Sequence, residues 1–210
     1  MTVLTFPSVD VADGSSFGLV SNTQVFISEL AGTVQTLELP GARWFVRAGW
    51  PVLTDADQRA VRAFMVKLRG QGGRFYWGDP AYLRNGPAGA LGGTPLVAGG
   101  SQTGATLDID GASLSITNWG RAGDYFHFTN TAGEREMKML TADVDTDGAG
   151  AATLTFEPVI RVSPADNAAL TFTGATCQMM LSDPRVMWSY ENPAFYGLQI
   201  EAVEAFTAQA

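Results

Sequence analysis

Apolar residues along most of this chain recur every second position, the period of a strand with one face buried. Leu37 and Leu39 alternate with Thr36 and Glu38, and Trp44 and Val46 alternate with Arg43 and Arg47. The same beat returns at Leu107/Ile109, Leu114/Ile116, Met137/Met139, Leu154/Phe156 and Leu198/Ile200/Ala202. Strands are therefore predicted in TQVFISEL, TVQTLELP, ARWFVRAGW and GRFYWGDP. Further strands are predicted in TLDIDG, SLSITNW, GDYFHFT, REMKMLTADV, ATLTFEPVI and AALTFTG, with more between Cys177 and Phe206. Pro40-Gly41 and Gly78-Asp79-Pro80 supply turns between them.

One segment breaks the pattern. In TDADQRAVRAFMVKLRG, Val61, Phe64, Met65 and Leu68 are spaced as one stripe of a helix. Thr54 and Asp57 form a capping-box-like start, Lys67 and Arg69 suit the last turn, and Gly70 or Gly72 should end it. The spacing predicts a helix over about 54–70, lying on a sheet, with Arg59, Arg62, Lys67 and Arg69 toward solvent. Residues 199–206 admit a helix as the alternative to a strand, because glutamate and alanine favour helix.

From Asn85 to Gly104 the chain turns glycine-rich and almost uncharged, which reads as a linker. A strand at the C-terminal end needs a partner, and the sheet of the first half offers open positions. The expected organisation is a discontinuous core domain, 1–88 plus 179–210, with a small β-barrel or sandwich inserted at 89–178. The fold class is mainly β with one flanking helix.

Composition removes function classes more readily than it adds them. The 210 residues carry 13 basic and 21 acidic side chains, a net charge of −8, which disfavours tight nucleic-acid binding. Hydrophobic residues make up 46% of the chain, enough for a real core, yet no apolar run has the length of a membrane span. The N-terminal MTVLTFPSVD has no signal-peptide pattern. Cys177 is the single cysteine, which rules out an internal disulfide and a multi-cysteine zinc site.

Candidate chemistry is sparse. DVDTDG places Asp143, Asp145, Asp147 and Gly148 where a calcium loop has ligands and its glycine. The loop then fails, because Leu154 stands where the bidentate glutamate belongs and both flanks read as strands. A hairpin connection is the better reading. His127 lacks the partners of a zinc centre or a catalytic dyad, and no phosphate-binding glycine loop is present. No catalytic residue, metal site or cofactor is expected. Phe75, Tyr76, Trp77 and Asp79 are the candidate interface, since consecutive aromatics serve a core on one face and a partner on the other. Trp119, Tyr125 and Phe126 are candidate glycan-stacking residues in the inserted domain.

The run KLRGQGGRFYWGDP, followed by GGTPLVAGGSQTGATLDIDG, GDYFHF, a DxDG turn, ATLTFEPVIR and YGLQIEAVEAF, resembles the distal tail proteins of long, flexible-tailed bacteriophages and of gene transfer agents. The similarity spans about residues 40–206 and lies in the order of the segments. It implies a tail-tube-like β-sandwich or barrel with one flanking helix, bearing a galectin- or OB-like β domain. It also implies a non-enzymatic virion protein, made in the bacterial host cytoplasm and located at the tail tip. Its partners would be copies of itself in a ring, usually of six, the tail tube protein, the baseplate hub, and receptor-binding or side-fibre proteins. The alternatives are a carbohydrate-binding module of an adsorption apparatus, another minor tail protein, or a cell-wall hydrolase.

Overall fold

The C-terminal alternation builds the strand that organises the molecule. In the computed structural model, which describes residues 3–7, 9, 15–50, 53–185, 188–192 and 195–206, this strand runs Phe195–Glu204. Side chains of 188–192 and 195–197 are outside the description. Leu198, Ile200 and Ala202 are buried while Gln199 and Glu201 are exposed, so the strand reading of 199–206 stands and the helical one falls. Burying alternate apolar side chains fixes its register, since a one-residue slip would turn all of them to solvent.

In chain order the strands are β1 (Val3–Thr5), β2 (Ser16–Val20), β3 (Thr23–Ile27), β4 (Val34–Glu38) and β5 (Arg43–Trp50). Helix α1 (Asp55–Lys67), β6 (Arg74–Trp77) and helix α2 (Pro80–Asn85) follow. Then come β7 (Gly93–Val97), β8 (Gly104–Ala112), β9 (Tyr125–Thr129), β10 (Arg135–Leu140) and β11 (Ala152–Ile160). The chain closes with β12 (Cys177–Leu181), β13 (Trp188–Asn192) and β14 (Phe195–Glu204). A seven-stranded sheet runs β1-β6-β12-β14-β5-β2, with β13 also on β14, and a five-stranded sheet runs β7-β8-β11-β10-β9. The protein is mainly β.

Helix α1 lies on the first sheet as its stripe requires, with Val61, Phe64, Met65 and Leu68 buried against Trp44, Trp50, Phe75 and Met179. Thr54 Oγ1 accepts from Asp57 N at 3.2 Å and donates to the Asp57 carboxylate at 2.6 Å, which closes the N-terminus. The C-terminus departs from expectation. Leu68 caps the helix, and Arg69, not a glycine, takes the left-handed conformation first, at φ 54° and ψ 47°. Arg62 is half-buried and does not join Arg59 and Lys67 on the solvent face.

Four expectations need correction. Residues after Asp79 form the second helix, α2, because Asp79 Oδ1 accepts from Ala81 N at 2.9 Å and Pro80 sits where a helix has no amide to lose. The glycine-rich segment is not a linker, since β7 within it pairs with β8. SLSITNW is no strand: Ser115 and Asn118 adopt positive φ, and Leu114 is exposed. AALTFTG contributes bridges and no strand, Leu96↔Ala169 and His127↔Thr171. Those bridges tie the two edge strands, β7 and β9, to one segment, so the second sheet curls closed and its open edges are covered.

Candidate interface

Each residue singled out from the sequence has a definite place. Phe75 is fully buried and Trp77 nearly so, ringed by Phe6, Phe64 and Trp50. Neither offers a surface to a partner. Tyr76 is half-buried beneath the Arg135 guanidinium, 3.9 Å from its ring centroid, and Asp79 caps α2. Two of the glycan-stacking trio are likewise internal, and the third is half-buried. Trp119 and Phe126 are fully buried in the second core, Trp119 donating its indole N–H to Gly92 O at 2.8 Å. Tyr125 packs edge-on against Trp44 and Tyr82. An exposed aromatic face is what sugar stacking requires; Trp119 and Phe126 have none, and Tyr125 is half-buried between two other rings.

The three aspartates of DVDTDG are occupied by backbone amides. Asp143 accepts from Ala122 N, Asp145 from Asn118 N, and Asp147 from Ala149 N and Ala151 N, all at 2.7–2.9 Å. They brace separate loops instead of converging on an ion. His127 Nδ1 accepts from Thr176 N at 3.2 Å, and burial beside Arg135 lowers its pKa to about 4, so the ring is neutral at pH 7. Burial pushes the Cys177 thiol well up, which makes it inert. These are structural roles.

The surface that demands explanation lies elsewhere. Strands β2 and β5 pair as far as Val20↔Arg43, and the ribbon then continues beyond the sheet as β3 paired with β4, from Thr23↔Glu38 to Ile27↔Val34. Leu39 N donates to Asn22 O at 2.8 Å across the joint. Strand β14 stops supporting β5 at Val203↔Phe45, so β3 and β4 form a two-stranded sheet of their own. Every residue of both strands is exposed.

That exposure falls on apolar side chains. Register places Val25, Ile27 and Val34 on one face of the arm, and Phe26 and Leu37 on the other. They are 58%, 62%, 59%, 69% and 56% exposed, and Leu30 at the tip is fully so. Between Val20 and Leu37 the sole charged residue is Glu29. A two-stranded hairpin by itself is marginal in water, and one with apolar residues on both faces, charged at Glu29 and Glu38 alone, invites association. The tip is ordered by its own bonds, Ser28 N to Thr33 O and Gly32 N to Ser28 O, both 2.9 Å. The sequence marked both strands; it carried no sign that nothing among the described residues covers them. Neither protein-family models nor curated proteins give a match to this chain.

Proposed function

We propose that this chain is a structural protein of a phage-type tail, forming a ring at its distal end that joins the tail tube to the baseplate hub and adsorption components. The observation that carries the proposal is the exposed arm, β3–β4. A ribbon apolar on both faces needs cover on two sides, and copies arranged head to tail supply it, each arm lying on the next copy. Such a heterologous contact closes when the rotation per copy divides a full turn, and six is the number of copies that the resemblance to distal tail proteins implies. The charge of −8 per copy suits a passage that DNA crosses without sticking. The segment order shared with distal tail proteins supports the same reading, and the buried positions of Trp119 and Phe126 remove the residues on which glycan binding would rest.

Sedimentation and electron microscopy of the purified protein test it. Rings with a central hole are expected at micromolar concentration. Phe26→Lys on one face of the arm and Ile27→Lys on the other should each dissolve the ring while leaving the melting temperature of the monomer unchanged. A wild-type protein that stays monomeric at tens of micromolar, and does not bind a tail tube, overturns the proposal.

A further inference from the structure

Charge is buried where the two sheets meet. Glu136 and Lys138 on β10 and Glu204 at the end of β14 are each at most 1% exposed. Glu136 is fully provided for: Oε1 accepts from Asn130 Nδ2 and Val162 N, and Oε2 from Lys138 Nζ and Arg161 N, at 2.9–3.0 Å. Lys138 Nζ also donates to Val159 O at 2.9 Å. This pair belongs to the second sheet; Lys138 and the other donors outweigh burial on the Glu136 side and hold its carboxyl below the usual range, while burial lowers the pKa of Lys138 despite Glu136 beside it.

Glu204 differs. It accepts from Trp44 N at 3.1 Å on β5, but Lys138 and Arg161 face it from the other sheet without forming an ion pair. We propose that Glu204 is a proton-operated clasp between the two sheets: neutral, it packs into the dry junction; ionised, it draws water in and loosens the hold of β9 and β10 on β5 and β14. The junction it guards is specific. Trp44 Nε1 donates to Met137 O at 2.8 Å, Tyr82 Oη donates to Tyr125 O at 2.9 Å, and Arg161 reaches back to Ala42 O at 2.7 Å.

Every charged or titratable neighbour bears on the clasp. Burial raises the Glu204 pKa to about 7, Glu136 adds to the rise, and Trp44 N, Lys138 and Arg161 oppose it. From β12, the Cys177 thiol is pushed up by burial and by Glu204 itself, so it contributes no charge. The carboxyl therefore changes state near neutrality, while Glu136 is held below the usual carboxylate range and burial lowers the pKa of both Lys138 and Arg161.

The Trp44 indole proton reports the junction directly, because its bond crosses it. Its exchange with solvent should be followed by NMR in the full chain from about pH 5 to about pH 8, alongside Glu204→Gln, whose amide keeps the shape without the charge. After correction for intrinsic base catalysis, wild-type exchange is expected to accelerate roughly tenfold or more up to about pH 7 and then level off, while the variant stays flat. Carboxyl-carbon labelling of glutamate in the wild type gives a second readout, with a Glu204 midpoint near 7 expected; it decides the matter even if the variant does not fold. Parallel exchange profiles in wild type and variant, or a Glu204 midpoint below about pH 5, overturn the proposal.

Discussion

Asp124 shows how much one residue can hold. The residue is 2% exposed, and its carboxylate accepts from Ala88 N at 2.7 Å and from Gly89 N and Arg121 N at 2.9 Å. It thereby anchors the segment leading into β7 to the start of β9. Asp124→Ala strands three part-buried amides at once, and the expected loss is about 3 kcal/mol, seen as a lower urea midpoint at unchanged slope. Asp147→Ala, which frees amides that water can reach, should cost far less; equal losses would show that the three amides find other partners. The sequence made Asp147 legible as a turn residue, in the connection DVDTDG. It did not make the partners of Asp124 legible, because Ala88 lies 36 positions away and only the closed second sheet brings them together.

At the scale of elements, legibility follows where the burial comes from. Helix α1 and strand β14 bury one regular face against a single sheet, so their periods stand in the sequence. Residues 113–118 copy the alternation, yet Ser115 and Asn118 turn the chain and Thr146 Oγ1 holds it through Ile116 N at 2.9 Å and Ser113 O at 2.6 Å. That is a tertiary bond no local pattern encodes. The end of α1 is a second case. Glycine is expected first in the left-handed position after a helix, but Arg69 occupies it and Gly70 follows at φ 65°. A Cβ on Gly70 would stand 2.8 Å from Pro184 O, so the glycine is required one position later by close approach as well as by φ. Arg69→Gly is expected to raise stability by about 0.5–1 kcal/mol, whereas Gly70→Ala lowers it by more, both read from thermal melts. A stabilising Gly70→Ala would mean that the 3-10 turn at Gly70–Gly72 is free to move away from Pro184.

The whole molecule is set by the junction between its sheets, and this was the least legible part of the chain. Trp44 and Met137 carry a correct local period and Tyr125 stands in a correctly read strand, yet nothing in sequence says that they meet, or that Tyr82 joins them from a helix. The junction also places two groups whose linkage to folding has opposite signs. His127 has its pKa lowered from 6.5 to about 4 by burial, with Arg135 adding to it. Its contribution to stability is complete above pH 6.5 and is lost as pH falls toward 4, because the unfolded chain binds the proton first. Glu204 has its pKa raised from 4.5 to about 7, again by burial. Its contribution is complete below pH 4.5 and is lost as pH rises toward 7. Each is worth about 3 kcal/mol across its window, so between about pH 4.5 and about pH 6.5 the two largely cancel. Wild-type stability measured by urea unfolding should therefore be nearly level there. Removing Glu204 as a titrating group exposes the histidine, so Glu204→Gln should gain stability steadily as pH rises through the same window. If wild type and variant climb with the same slope, the Glu204 carboxyl is already ionised throughout, and the two sheets meet across a wetter junction than the packing around Trp44 implies.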